Sequence, residues 1–150
     1  MKKIILAACL ALVAAPLWAQ KAGDFGAGVV AGSPTGASAK YWLDDKHALD
    51  AGLGFNGDLV LTADYLWHLW GALPQPSQGK LPAYFGVGAR LQSSNNAQLG
   101  VRGVAGLAYW LPRDPVEVFM EIAPVLQLTN GVGLDVDGGL GIRYYFLNKK

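Results

Sequence analysis

The sequence predicts an all-β chain, an eight-stranded antiparallel up-and-down transmembrane β-barrel with short connections. Three features of the 150 residues carry that expectation. Apolar and polar residues alternate with a period of two, turn-forming clusters interrupt the alternation at regular intervals, and every charge within the alternating runs falls on one phase. A period of two puts the two sets of side chains on opposite faces of a strand.

The chain opens on a targeting pattern. Lys2 and Lys3 precede an apolar run from Ile4 to Ala15, and Leu17-Trp18-Ala19 offers a cleavage site before Gln20. That layout reads as a secretory signal peptide over residues 1–19 and is too short for a spanning helix. Leu6-Ala7-Ala8-Cys9 also fits a lipoprotein box, but cleavage there would leave only Ile4 to Ala8 as the apolar core. Residues 20–150 then form one barrel domain without cysteine, because Cys9 leaves with the signal. Disulfides, thiolate metal sites and cysteine nucleophiles are excluded.

Alternation is plainest from Asp58 to Trp70, where Leu59, Leu61, Ala63, Tyr65, Trp67 and Leu69 oppose Asp58, Val60, Thr62, Asp64, Leu66 and His68. In His47 to Asn56, Leu49, Ala51, Leu53 and Phe55 oppose Asp50 and the glycines. In Val116 to Leu128, Val118, Met120, Ile122 and Leu126 oppose Glu117, Glu121 and Gln127. In Leu134 to Phe146, Leu140, Ile142, Tyr144 and Phe146 oppose Asp135, Asp137 and Arg143.

Breaks fall at Ser33–Gly36, Asp44–Lys46, Asn56–Asp58, Gly71–Lys80, Ser93–Asn96, Pro112–Pro115 and Asn130-Gly131. Gly, Pro, Asn and Asp are the residues such turns use. The breaks delimit strands over 24–32, 36–44, 47–56, 58–70, 81–92, 97–111, 116–128 and 133–146. Each is about nine residues or longer, the length of a tilted membrane strand. Pro124 interrupts one strand, where a bulge or early end is expected. The longest connection, Gly71–Lys80, falls on the rim that carries both termini, whereas membrane barrels usually keep that rim's turns short.

Which face is inside follows from the charges. Lys40, Asp50, Asp64, Arg90, Arg102, Glu117, Glu121, Asp135, Asp137 and Arg143 share one phase with many of the chain's 20 glycines. Glycines beside a few large polar side chains suit the narrow interior of an eight-stranded barrel. These residues are expected to form a charge-paired lumen, since an unpaired buried charge is very costly. Aromatic residues near one rim, Tyr41, Trp42, Trp67, Trp70, Tyr109, Trp110, Tyr144 and Phe146, are expected to form a girdle at a membrane interface. Tyr65, Tyr84, Phe85, Phe119 and Tyr145 lie toward the same rim.

Several segments, including Pro34–Leu43, His47–Gly54, Ala63–His68, Tyr84–Arg90, Val118–Pro124 and Gly141–Phe146, resemble a family of small bacterial outer-membrane barrels. That family is catalogued as a domain of unknown function and is similar in fold to the OmpA-type membrane barrel. The resemblance implies a fold and an outer-membrane location, with no catalytic residues to carry over.

Candidate chemistry is sparse. Asp64 and His68 share a face with Thr62, but residues four apart in a strand are separated by roughly 13 Å, too far for a hydrogen bond. His68 reads better as a lumen ion-pair or interfacial histidine. Glu117, Glu121, Asp135 and Asp137 could hold a cation, but salt bridging to Arg102 and Arg143 is the stronger reading. Gly86-x-Gly88 and Gly139-x-Gly141 precede no helix and are not phosphate loops. Charged residues are 15% of the chain, with a formal net charge of +1 and no basic patch that points to nucleic acid. The expectation is therefore a non-enzymatic barrel without catalytic, metal or cofactor sites, in contact with outer-membrane lipid and not with nucleic acid, and with no protein partner assigned. Its role would be structural or surface interaction. A narrow pore or small-ligand conduit is the second reading, and a lipid-modifying enzyme the third.

Overall fold

The computed structural model describes residues 22–93, 96–129 and 131–146. The signal segment 1–19 and the last four residues lie outside the described part. The strands are β1 (Phe25–Ser33), β2 (Thr35–Trp42), β3 (His47–Asn56), β4 (Asp58–Leu69), β5 (Ala83–Ser93), β6 (Gln98–Trp110), β7 (Val116–Gln127) and β8 (Gly133–Phe146). Each pairs antiparallel with its sequence neighbour, and β8 returns to β1, so the sheet closes into a barrel. Closure removes the sheet edges that an open meander would expose over most of the strands' length.

The expected boundaries hold to within a few residues. β2 ends at Trp42, two residues early, because the Asp44 carboxylate accepts the backbone N–H groups of Lys46 and His47 and turns the chain there. Pro124 causes neither a bulge nor an early end. β7 runs through it, and the β6–β7 register keeps one offset from Gly100↔Gln127 to Trp110↔Glu117. The missing N–H costs ladder bonding locally, and the pairing with β8 at Val136 continues.

The long connection between β4 and β5 is folded onto the terminus-bearing rim. Gln75 donates to the carbonyls of Leu73 and Leu81 and accepts the Leu81 N–H, each at 2.9 Å. Lys80 extends the ladder by bridging to Trp110. The connection is therefore held by its own Gln75 and tied to the rim through the Lys80–Trp110 bridge.

Outward positions carry exposed large apolar side chains on every strand, among them Val29, Leu49, Leu53, Leu61, Val87, Val101, Met120, Ile122 and Leu140. Soluble monomers rarely expose a contiguous apolar area of that extent. Inward positions hold the charges and glycines. A Cβ at Gly26 would lie 2.6 Å from the Tyr145 ring, one at Gly106 2.4 Å from Tyr84, and one at Gly141 2.2 Å from Phe119. Each large inner side chain thus occupies the space left by a glycine on the adjacent strand.

Candidate functional site

The interior fills in three layers. At the terminus-bearing end the plug is aromatic. Trp42, Trp110 and Tyr145 are 0%, 5% and 1% exposed, and Trp70 packs against them. Trp42 lies 6.2 Å from Trp110 and 6.0 Å from Trp70 between ring centroids, and Trp110 lies 4.5 Å from Tyr145.

This corrects the expected girdle at three positions. Trp42, Trp110 and Trp70 share the inward phase with Lys40, Arg102 and His68, and parity overrides their closeness to the rim. Tyr84, Phe119 and Tyr145 are likewise buried in the lumen. Tyr41, Tyr144 and Phe146 do face outward, exposed, beside Phe25 and Phe85. Trp67 and Tyr109 are half-buried on the outer wall, where Trp67 stacks on Phe85 at 5.4 Å.

The middle layer is an ion-paired chain. Glu117 faces Arg143 directly across the β7–β8 ladder, and their Oε1 and Nη1 atoms are 2.5 Å apart. The same guanidinium donates from Nη2 to Asp50 Oδ2 at 2.6 Å and from Nε to Ser38 Oγ at 2.9 Å, and lies 3.7 Å over the Phe119 ring. Lys40 Nζ is 3.2 Å from Glu117 Oε2 and 2.8 Å from His68 Nε2, between the rings of Trp42 and Tyr84. An ammonium can only donate, so His68 Nε2 accepts and Nδ1–H faces the Lys46 carbonyl at 3.3 Å. His68 is therefore a buried neutral-type ring bridging Lys40 to a turn, where an ion-pair or interfacial role was expected.

The upper layer gathers around two arginines. Arg102 reaches Asp64 at 3.0 Å, Asp137 at 3.0 Å and Glu121 at 3.5 Å. Arg90 reaches Asp137 at 3.0 Å and Asp135 at 3.7 Å. Tyr84 donates to Glu121 at 2.7 Å. Asp50 and Asp64 oppose each other in the β3–β4 register, a like-charge pair that costs energy unless neutralised. Arg143 takes one and Arg102 the other.

All ten charges expected inside are on the inward phase, and each has an ion-pair partner. Asp135 departs from the others, since its side chain is 43% exposed at the mouth opposite the termini. Beneath that mouth a cavity of about 50 Å³, bordered by Ser38, Asp50, Thr62, Asp64 and Arg102, ends against the Arg143 layer. That is room for a few water molecules. Asp64 and His68, which share a face with Thr62, have other partners. Asp64 is held by Arg102, and His68 is held by Lys40 and Lys46. Arg143–Glu117, Arg102–Glu121 and Arg102–Asp137 are the salt bridges expected of the acidic set Glu117, Glu121, Asp135 and Asp137, whereas Asp50–Arg143 joins β3 to β8, which local spacing does not bring together.

The fold and its contents define a closed eight-stranded up-and-down β-barrel with an ion-paired, plugged interior. It is similar to the crystal structure of the N-terminal β-barrel domain of OprF from Pseudomonas aeruginosa. The match has a TM-score of 0.56 and 20% sequence identity, covering 82% of this chain and 96% of that one. At that identity the likeness establishes the OmpA-like barrel fold. No protein-family model and no curated protein matches the chain.

Proposed function

We propose that the chain is exported with a cleaved signal peptide and is an integral protein of the bacterial outer membrane. In this reading its lumen is closed and its role is structural or in surface interaction. The observation that carries this reading is the filling of the interior from the Trp42–Trp110–Tyr145 cap through the Arg143 layer, against which the small cavity at the mouth ends. An eight-stranded barrel leaves room for side chains and little else. The apolar outer wall supports placement in lipid, where a closed ladder satisfies the backbone. The likeness to a barrel domain of OprF supports the same compartment.

Planar-bilayer recordings test the closed lumen. The purified protein should be silent or show only small, rare openings, and steady large conductance would move the pore reading into first place. Labelling tests the wall. Cysteines placed at Leu61, Tyr65, Leu107, Ile122 and Leu140 should be protected from water-soluble reagents in membranes, and rapid reaction at most of them would reject lipid contact.

A further inference from the structure

Strand pairing around the barrel is uneven where β8 begins. β8 pairs with β7 from Gly133 onward, but its register with β1 begins only at Gly138, opposite Ser33, because β1 ends there and the chain turns at Pro34. Among the described residues, Gly133–Asp137 therefore has a strand partner on one side only. Such a segment presents a row of backbone donors and acceptors ready for another strand.

Three observations bear on what would pair there. Val132 and Leu134 are 81% and 84% exposed, the highest values among the exposed large hydrophobic residues, and Val136 is exposed beside them. The Val136 N–H, pointing away from β7, is met by the carboxylate of its own neighbour Asp135 at 2.9 Å. Leu134 shares that direction by the alternation of an antiparallel ladder. The third observation is charge. The lumen holds Asp50, Asp64, Glu117, Glu121, Asp135 and Asp137 against Lys40, Arg90, Arg102 and Arg143, an excess of acid, and Asp135 is the acid that reaches the mouth.

We propose that the free edge of β8 at Gly133–Asp137 is a β-augmentation site for an extended segment of a partner protein. That segment carries a basic residue opposite Asp135 and apolar residues opposite Leu134 and Val136. Residues directly opposite in a ladder share a face, so the basic side chain points toward the acidic mouth and the apolar ones continue the outer wall. A second copy of the chain is a poor occupant. Antiparallel pairing of two such edges about their centres would set Asp135 against Asp135, and like charges directly opposite destabilise a ladder. On binding, the Asp135 carboxylate leaves the Val136 N–H, which then bonds to the incoming carbonyl. The proposal rests on the surface-interaction reading and specifies the partner class for it.

The test uses the mature barrel in lipid nanodiscs with two short synthetic peptides, one alternating Lys or Thr with Val and the other with Glu replacing Lys. The Lys peptide should bind saturably by fluorescence anisotropy, more weakly as salt rises. It should slow amide hydrogen exchange at Leu134 and Val136. Val136→Pro removes the free-edge donor without touching the bonds to β7, and Asp135→Asn removes the charge. With barrels folded by far-UV circular dichroism, each should weaken binding by at least about tenfold, or ~1.4 kcal/mol. Equal binding of the Glu peptide, unchanged binding by Val136→Pro, or no binding at all would overturn the proposal. So would a dimer of the free protein that Val136→Pro dissociates, since that assigns the edge to a second copy. Failure here with silent bilayer recordings removes the edge site and leaves the closed barrel standing, whereas steady conductance removes the closed barrel.

Discussion

Arg143 and Asp50, 93 residues apart in sequence, meet inside the barrel at 2.6 Å between Nη2 and Oδ2. Asp50 lies opposite Asp64 and Arg143 lies opposite Glu117, so this one guanidinium neutralises acids from two strands. Removing it leaves buried Asp50 without its ion-pair partner and Glu117 with Lys40 alone. Arg143→Ala is expected to lower the unfolding free energy by ~3–5 kcal/mol, the cost of breaking a buried pair from one side. Lys80→Ala, in the connection over the terminus-bearing rim, should change it by about 0.5 kcal/mol or less. Urea unfolding in lipid vesicles measures both. Equal losses would mean a hydrated interior in which the pairs count for little.

Strand glycines differ sharply in what surrounds them. A Cβ on Gly28 would lie 1.8 Å from the Ile142 carbonyl oxygen and 2.7 Å from Arg143 Cα, both backbone atoms of β8, whereas one on Gly103 meets nothing within 4 Å. Gly28→Ala should therefore prevent β1 from closing against β8, read as loss of the folded, heat-modifiable band on gels. Gly103→Ala should fold normally. A stable Gly28→Ala barrel would show that the β1–β8 seam is looser than its register implies.

The sequence makes the strands legible because alternation is a local signal, and the inward set of charges follows from the same parity. The rim aromatics follow parity and not depth alone. Trp42 shares parity with Lys40 and Trp110 with Arg102, so both turn inward despite their closeness to the rim and fill that end of the lumen. Pairing partners such as Asp50 and Arg143 depend on how the sheet closes, which no local pattern encodes. The unpaired end of β8 is hidden for the same reason. It appears only when β1, ending at Ser33, is set against a β8 that starts at Gly133.

The turn between β2 and β3 should carry an acid-sensitive contribution. The Asp44 carboxylate accepts the backbone N–H groups of Lys46 at 2.7 Å and His47 at 2.8 Å and contacts the His47 ring, and these bonds hold its pKa below the usual aspartate range. A carboxyl whose folded pKa is depressed stabilises the fold fully above its unfolded value and loses that contribution as pH falls through the folded one. The stability difference between wild type and Asp44→Ala should thus be constant above about pH 5 and shrink below about pH 4. Unfolding curves across that range measure it, together with the carbon-13 titration of the Asp44 carboxyl. A difference independent of pH would assign the effect to chain geometry alone.

The inward turn of two tryptophans makes the last prediction. Trp42 and Trp110 are 0% and 5% exposed inside the aromatic cap, while Trp67 stacks on Phe85 on the outer wall. Indoles in an interfacial belt lie at headgroup depth, where lipid-borne quenchers reach them. Single-tryptophan variants reconstituted into brominated phospholipid should therefore divide into two groups. Trp67 should lose most of its emission, and Trp42 and Trp110 should keep theirs. Aqueous acrylamide should also quench Trp42 weakly, because its ring is fully buried and the Arg143 layer stands between it and the mouth opposite the termini. Strong lipid quenching at Trp42 or Trp110 would place those rings outside and restore the full girdle. Strong acrylamide quenching at Trp42 would instead show that water penetrates the cap, and the closed-lumen reading would fall with it.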